Sequence, residues 1–112
     1  MGTERMLLVN STTSQIFLQI DNSTTLSFYI KEFANDTVIQ SIDYKVEKVS
    51  GRTTTLITDW TSVSITDVSD SIYSFDYTLS GVSTTDNVQL VFKVIDADGI
   101  EYFKTINNIS VI

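Results

Sequence analysis

Apolar and polar residues alternate along most of this chain. Ile16, Leu18 and Ile20 are separated by Phe17 and Gln19, and Leu26, Phe28 and Ile30 by Ser27 and Tyr29. Ile42, Tyr44 and Val46 alternate with Asp43, Lys45 and Glu47. Tyr73, Phe75, Tyr77 and Leu79 alternate with Ser74, Asp76 and Thr78, and Leu90, Phe92 and Val94 with Val91 and Lys93. A period of two places successive side chains on opposite faces of a β-strand, so each run predicts a strand with one buried face. A weaker strand is expected through Thr53 to Thr58 and a short one through Val63 and Ile65. The last segment, Ile100 to Ile112, reads as a strand with an irregularity at Asn107-Asn108. Ile30 and Phe33 share a face only if a bulge falls near Lys31-Glu32. No window carries a helical stripe.

Turn clusters separate these runs: Asp21-Asn22-Ser23, Asn35-Asp36, Ser50-Gly51, Asp67 to Ser71, Ser80-Gly81, Asp86-Asn87 and Asp96 to Gly99. Turn signals spaced about 8–12 residues apart or a little more are those of a sandwich. About seven antiparallel strands must each bury one face, and two packed sheets do so economically. The expected core anchors are Trp60, Phe28, Phe75, Tyr77 and Phe92. With 112 residues, one domain over 14–112 is expected. Residues 1–13 precede it as an N-terminal arm or as its first strand. Within them Met6, Leu7, Leu8 and Val9 form an apolar tetrapeptide, which either opens the sandwich or pairs with a neighbouring subunit by strand addition.

Composition narrows the function classes. The net charge is −7, so phosphate backbones and anionic membranes are repelled, and neither nucleic acid nor membrane is an expected partner. There is no cysteine for a disulfide or thiolate site and no histidine for a general base. Proline is also absent, so edge strands need charge, bulges or a partner for protection. Serine and threonine make up about a quarter of the chain, as suits strands and turns. No apolar run approaches the roughly 20 residues that span a bilayer, and Met1 to Val9 does not read as a secretory leader.

Asp96-Ala97-Asp98-Gly99 has the outline of a calcium loop, making Asp96 and Asp98 weak metal candidates. Strands flank it and the further ligands of such a loop do not follow, so a hairpin turn is the favoured reading. Asp59, Asp67, Asp70, Asp76 and Asp86 could join them at one end of a sandwich, against the simpler reading of solvated loop charge. Asn10, Asn22, Asn35 and Asn108 open acceptor triplets for glycosylation, which a chain rich in Ser, Thr and Asn produces by chance. No serine, threonine or carboxylate stands in a catalytic context, so no catalytic residue and no cofactor are expected.

The segments Ile42-Asp43-Tyr44-Lys45-Val46, Asp59-Trp60-Thr61-Ser62-Val63 and the Val88 to Tyr102 hairpin are similar to immunoglobulin-like and fibronectin type III-like modules of bacterial surface proteins. In size and in Asp59 to Val63 the chain resembles small immunoglobulin-like structural proteins of tailed bacteriophages more closely. The resemblance covers roughly 25–106, rests on loose motifs and carries over no functional residue. It implies an all-β, antiparallel immunoglobulin-like sandwich without the paired cysteines of antibody domains. It also implies a non-enzymatic virion component (head decoration, neck or tail adaptor), assembled in the host cytoplasm and docking onto capsid, neck or tail subunits, or onto itself, by a sheet edge and the N-terminal arm. A start at Met1 without a leader fits that setting, and equally fits a start placed on an excised domain. The alternative is a module of the bacterial cell surface for adhesion or carbohydrate, with Tyr29 and Tyr73 exposed to stack on sugar.

Overall fold

A computed structural model describes residues 7–11, 13–32, 39–64 and 72–112, with the backbone alone at 7–11 and 30–32. Nine strands run through these residues: β1 Leu7–Ser11, β2 Ile16–Leu18, β3 Ser23–Glu32, β4 Ile39–Ser50, β5 Thr53–Val63, β6 Ile72–Thr78, β7 Asn87–Asp96, β8 Glu101–Ile106 and β9 Ile109–Val111. One sheet has the order β1-β3-β6 and the other β5-β4-β7-β8. All pairs within both are antiparallel. β2 and β9 form a parallel ribbon, with Ile16 opposite Ile109.

The nine strands are seven passes of the chain. The first pass pairs with β3 as β1, then crosses to β9 as β2. The last pass runs in the four-stranded sheet as β8, then leaves it as β9 after Asn107-Asn108, where the sequence pattern has its irregularity. Three strands against four, with terminal passes that change sides, is an immunoglobulin-like β-sandwich.

Burial follows the alternation. β7 alternates without a break, the half-buried Gln89, Val91, Lys93 and Ile95 lying between the buried Val88, Leu90, Phe92, Val94 and Asp96. Ile42, Tyr44 and Val46 on β4 and Leu26 and Phe28 on β3 seal against them. Phe28 meets Phe92 edge-on with centroids 4.5 Å apart, and Tyr44 stacks on half-buried Phe75 at 4.3 Å. Such ring pairs add about 0.5–1.5 kcal/mol beyond the area they bury. Between the sheets, the Tyr77 and Thr58 hydroxyls share a 2.7 Å hydrogen bond.

Two turns set the hairpins that frame the larger sheet. Ser50 faces Thr53 across Gly51-Arg52, and Gly51 has φ 59°, a left-handed conformation that glycine takes without Cβ strain. Gly99 does the same at φ 82° between β7 and β8.

Several expectations change. The strands expected at Thr53–Thr58 and at Val63 are one, β5; Ile65 lies outside the described residues. β1 pairs residue by residue with β3 through Leu7 opposite Glu32, so no bulge interrupts this pairing at Lys31-Glu32, and Phe33 lies outside the described residues. Trp60 is not a core residue. It is 36% exposed, on the outer face of the four-stranded sheet.

Candidate docking surface

The outer face of the four-stranded sheet is built by the residues between the buried positions. They are Asp43, Lys45 and Glu47 on β4, Gln89, Val91, Lys93 and Ile95 on β7, and Glu101, Phe103 and Thr105 on β8. β5 joins them through two irregularities. Tyr44 faces Thr61 and Val46 faces Thr58, so two residues, Asp59 and Trp60, stand opposite the single Lys45. Val46 then faces Thr58 and Glu47 faces Leu56, which leaves Ile57 as a second extra residue. Bulges bend a strand and re-aim its side chains. Here the first lets Thr58 and Thr61 both stay on the inner side while Trp60 turns out. The Asp59 carboxylate fixes this geometry by accepting the Trp60 backbone N–H at 2.7 Å.

Trp60 leans across the sheet. The Lys45 ammonium stands 4.9 Å and the Lys93 ammonium 4.7 Å from its ring centroid, and the Phe103 ring lies 6.4 Å away, tilted by 59°. Phe103 is 60% exposed. The lysine heads give the indole a cationic flank, an attraction between charge and ring quadrupole. Around this centre the carboxylates are engaged. Glu47 pairs with Lys45 at 3.5 Å and accepts Gln89 Nε2 at 3.0 Å, and Asp43 accepts the Ser62 hydroxyl at 3.0 Å.

Elsewhere the polar groups serve the fold. The opposite outer face, on β3 and β6, is a hydroxyl and carboxylate ladder in which Thr25 donates to Asp76 at 2.6 Å and Ser27 meets Ser74 at 2.8 Å. Tyr44 and Tyr77 hold their phenolic protons above the usual range near pH 10, chiefly through burial. For Tyr44 the neighbouring Tyr77 adds to the rise, while hydrogen bonds from Thr61 and Thr58 respectively oppose it. Where the sandwich ends near Asn107, a shallow depression of about 300 Å³ is lined by Val49, Asn87, Val88, Gln89, Asn107 and Ile109. Its lining holds amides and alkyl groups but no ionisable side chain.

The sequence candidates separate in space. Asp96 is fully buried, and its Oδ1 accepts the backbone N–H groups of Asp98 at 2.9 Å and Ile100 at 3.0 Å, while Oδ2 accepts the Tyr102 hydroxyl at 3.1 Å. It pins the hairpin turn, with Asp98 exposed beside it. Asp86 caps its own turn at Ser83 N–H, 2.8 Å away. Asp67 and Asp70 lie outside the described residues, and among those described no three acidic or other metal-binding side chains converge. Leu7, Leu8 and Val9 form β1 at the edge of the smaller sheet; their side chains and all of Met6 lie outside what the structure describes. Tyr73 stands opposite inward-facing Phe28, which puts it on the core side, while Tyr29 is on the other face. The two half-buried rings therefore form no common platform. The amides of Asn22 and Asn108 donate to the Ile20 and Ser14 carbonyls, and Asn35 is outside the described residues.

Comparison with family models and with curated proteins yields no match. Among solved structures, a chain from one on the structural basis of T cell specificity and activation by the bacterial superantigen toxic shock syndrome toxin-1 superposes with a TM-score of 0.53. It is 12% identical, and the match covers 96% of this chain and 100% of that one. Murine CRIg aligns at a TM-score of 0.47 and 6% identity over 97% of each chain, too low a score to bear on the fold. The first likeness speaks for the immunoglobulin-like fold alone.

Proposed function

We propose that this chain is a non-enzymatic interaction domain, and that it serves as a structural component of a tailed-phage virion, as head decoration, neck or tail adaptor. The observation that carries the reading is Trp60. A bulge turns this large side chain away from the core and keeps it over a third exposed beside Phe103. Tryptophan is enriched among the few residues that dominate binding energy at protein interfaces, and a contiguous exposed aromatic patch is the usual mark of a docking site. The outer backbone edge of β1 and the regular end of β5, Thr53–Leu56, supply secondary contacts to a neighbouring subunit. The virion setting draws its support from the size of the chain and from the segment Asp59–Val63, in which it resembles phage structural proteins more closely than bacterial surface modules.

The test is incorporation. Particles purified from the source lysate should contain the chain by mass spectrometry, and Trp60→Ala should keep the wild-type melting temperature within a few degrees while failing to enter them. Particles free of the chain, or equal entry of the variant, would refute the proposal.

A further inference from the structure

We infer that the Trp60 face recognises an acidic peptide segment of its partner, one that sets a carboxylate beside an aromatic or aliphatic side chain. The inference rests on the docking reading above and names the chemistry of the other side.

Lys93 carries it. Of the carboxylates on this face, Asp43, opposite Lys93 in the register, accepts the Ser62 hydroxyl, and Asp59 accepts the Trp60 backbone N–H. Glu47 pairs with Lys45 and accepts from Gln89, and Glu101 lies two residues from Phe103 on β8. Among the described residues Lys93 has no carboxylate within salt-bridge distance, and its one described interaction is with the Trp60 ring. The Trp60 indole N–H likewise has no hydrogen-bond partner among the described residues. An exposed indole and phenyl ring therefore adjoin an ammonium without a salt bridge and an indole N–H without an acceptor among the described residues, in a molecule whose net charge is −7. An incoming carboxylate would bridge the Lys93 ammonium and the indole N–H, while the apolar group beside it covers Trp60 and Phe103. A basic segment would meet Lys45 and Lys93 and be repelled at the centre of the contact. A neutral apolar segment would leave the ammonium desolvated without a partner, which is costly.

Trp60 is the only tryptophan, so its emission reports this face alone. The probes are three blocked pentapeptides with a central phenylalanine flanked by aspartate, serine or lysine, titrated against the whole protein at low salt. The aspartate peptide should bind about two- to fivefold more tightly than the serine peptide, the span of one surface ion pair, and the lysine peptide more weakly than both. Raising the salt should narrow the gap, because exposed charges are screened. Lys93→Gln should bring the aspartate peptide down to the serine level, and Lys93→Glu should invert the order. Equal binding of the three peptides, or preference for lysine, overturns the inference. So does sodium glucuronate matching the aspartate peptide, which would mark a sugar site, or concentration-dependent dimerisation that buries Trp60. If Trp60→Ala is excluded from particles while Lys93→Glu enters normally, the charge inference falls and the docking proposal stands.

Discussion

The four-stranded sheet carries an aromatic cluster on each side, and the two are built from the same residue types for opposite ends. On the inner side Phe28, Phe75, Phe92, Tyr44 and Tyr77 interlock edge-on and stacked. The phenolic oxygen of Tyr77 is matched to a threonine hydroxyl. On the outer side Trp60 and Phe103 meet at an open angle, with lysine heads where the inner cluster has more rings. The inner cluster is closed around Phe28, Phe92, Tyr44 and Tyr77, with Phe75 half-buried at its margin, so its rings gain by excluding water. The outer one is unfinished, and completing it requires another molecule. What separates them is the phase of the strand rather than the kind of side chain.

The largest effect should come from opening the closed side. Phe92→Ala removes a ring that contacts Phe28 and Phe75, and should cost about 3–5 kcal/mol in urea unfolding followed by circular dichroism. A loss below about 1 kcal/mol would mean the inner cluster is no better sealed than the outer, and the contrast would collapse.

Next comes Asp96→Ala. The carboxylate serves two backbone N–H groups and the Tyr102 hydroxyl from a buried position. Its removal should cost about 2–3 kcal/mol, since groups left unpaired bear most of the penalty. Exchange of the Asp98 and Ile100 amides, read by NMR, should accelerate before the rest of β7 does. Calcium at millimolar levels should leave the wild-type melting temperature unchanged, because the carboxylate is occupied by the turn.

The inner side was legible in the sequence and the outer side was not, for a physical reason. β4 and β7 alternate without interruption across their central residues, so Tyr44 and Phe92 could be assigned inward from spacing alone. β5 contains two extra residues, near Ile57 and at Asp59-Trp60, each of which resets the phase. A lone tryptophan in a strand-like segment is most economically read as core, and only the cross-strand register with Lys45 reveals otherwise. The lysines gave no warning either, since Lys45 and Lys93 lie far apart in the chain and meet only because β4 and β7 pair. Asn107-Asn108 was legible as an irregularity, but not as the point where the last pass changes sheets, because parallel pairing with Ile16 to Leu18 leaves no local trace. Asp96 looked like a turn residue and is one, though its burial beneath Tyr102 depends on β8.

A smaller effect should follow from trimming the polar rim of the inner cluster. Tyr77→Phe deletes the hydrogen bond to Thr58 and should cost about 1–1.5 kcal/mol by the same unfolding assay. The tyrosines also set an alkaline limit. Folding raises the proton affinity of Tyr44 and Tyr77 above the unfolded value of 10.0, so between that pH and their folded values the unfolded chain has lost protons that the folded chain retains. Stability is therefore unaffected by them below pH 10 and falls as pH rises beyond it. Tyr77→Phe should make that decline shallower, read as melting temperature against pH. An unchanged slope would place the alkaline loss elsewhere.

The smallest change in stability should belong to Trp60→Ala, and it separates the two clusters most sharply. The side chain is partly exposed, and its described ring contacts are two lysine heads and Phe103. Exposed cation–π contacts contribute about 0.5–1 kcal/mol each, and removing the indole also relieves the exposure of an apolar surface. The net cost should therefore be no more than about 1 kcal/mol, against several for Phe92→Ala. If Trp60→Ala unfolds the protein as Phe92→Ala does, the bulge at Asp59-Trp60 holds β5 to β4 and the tryptophan is a structural clamp. If the variant keeps its stability, the bulge has turned the tryptophan outward with no folding benefit to match, and what Trp60 contributes lies in contact with another molecule.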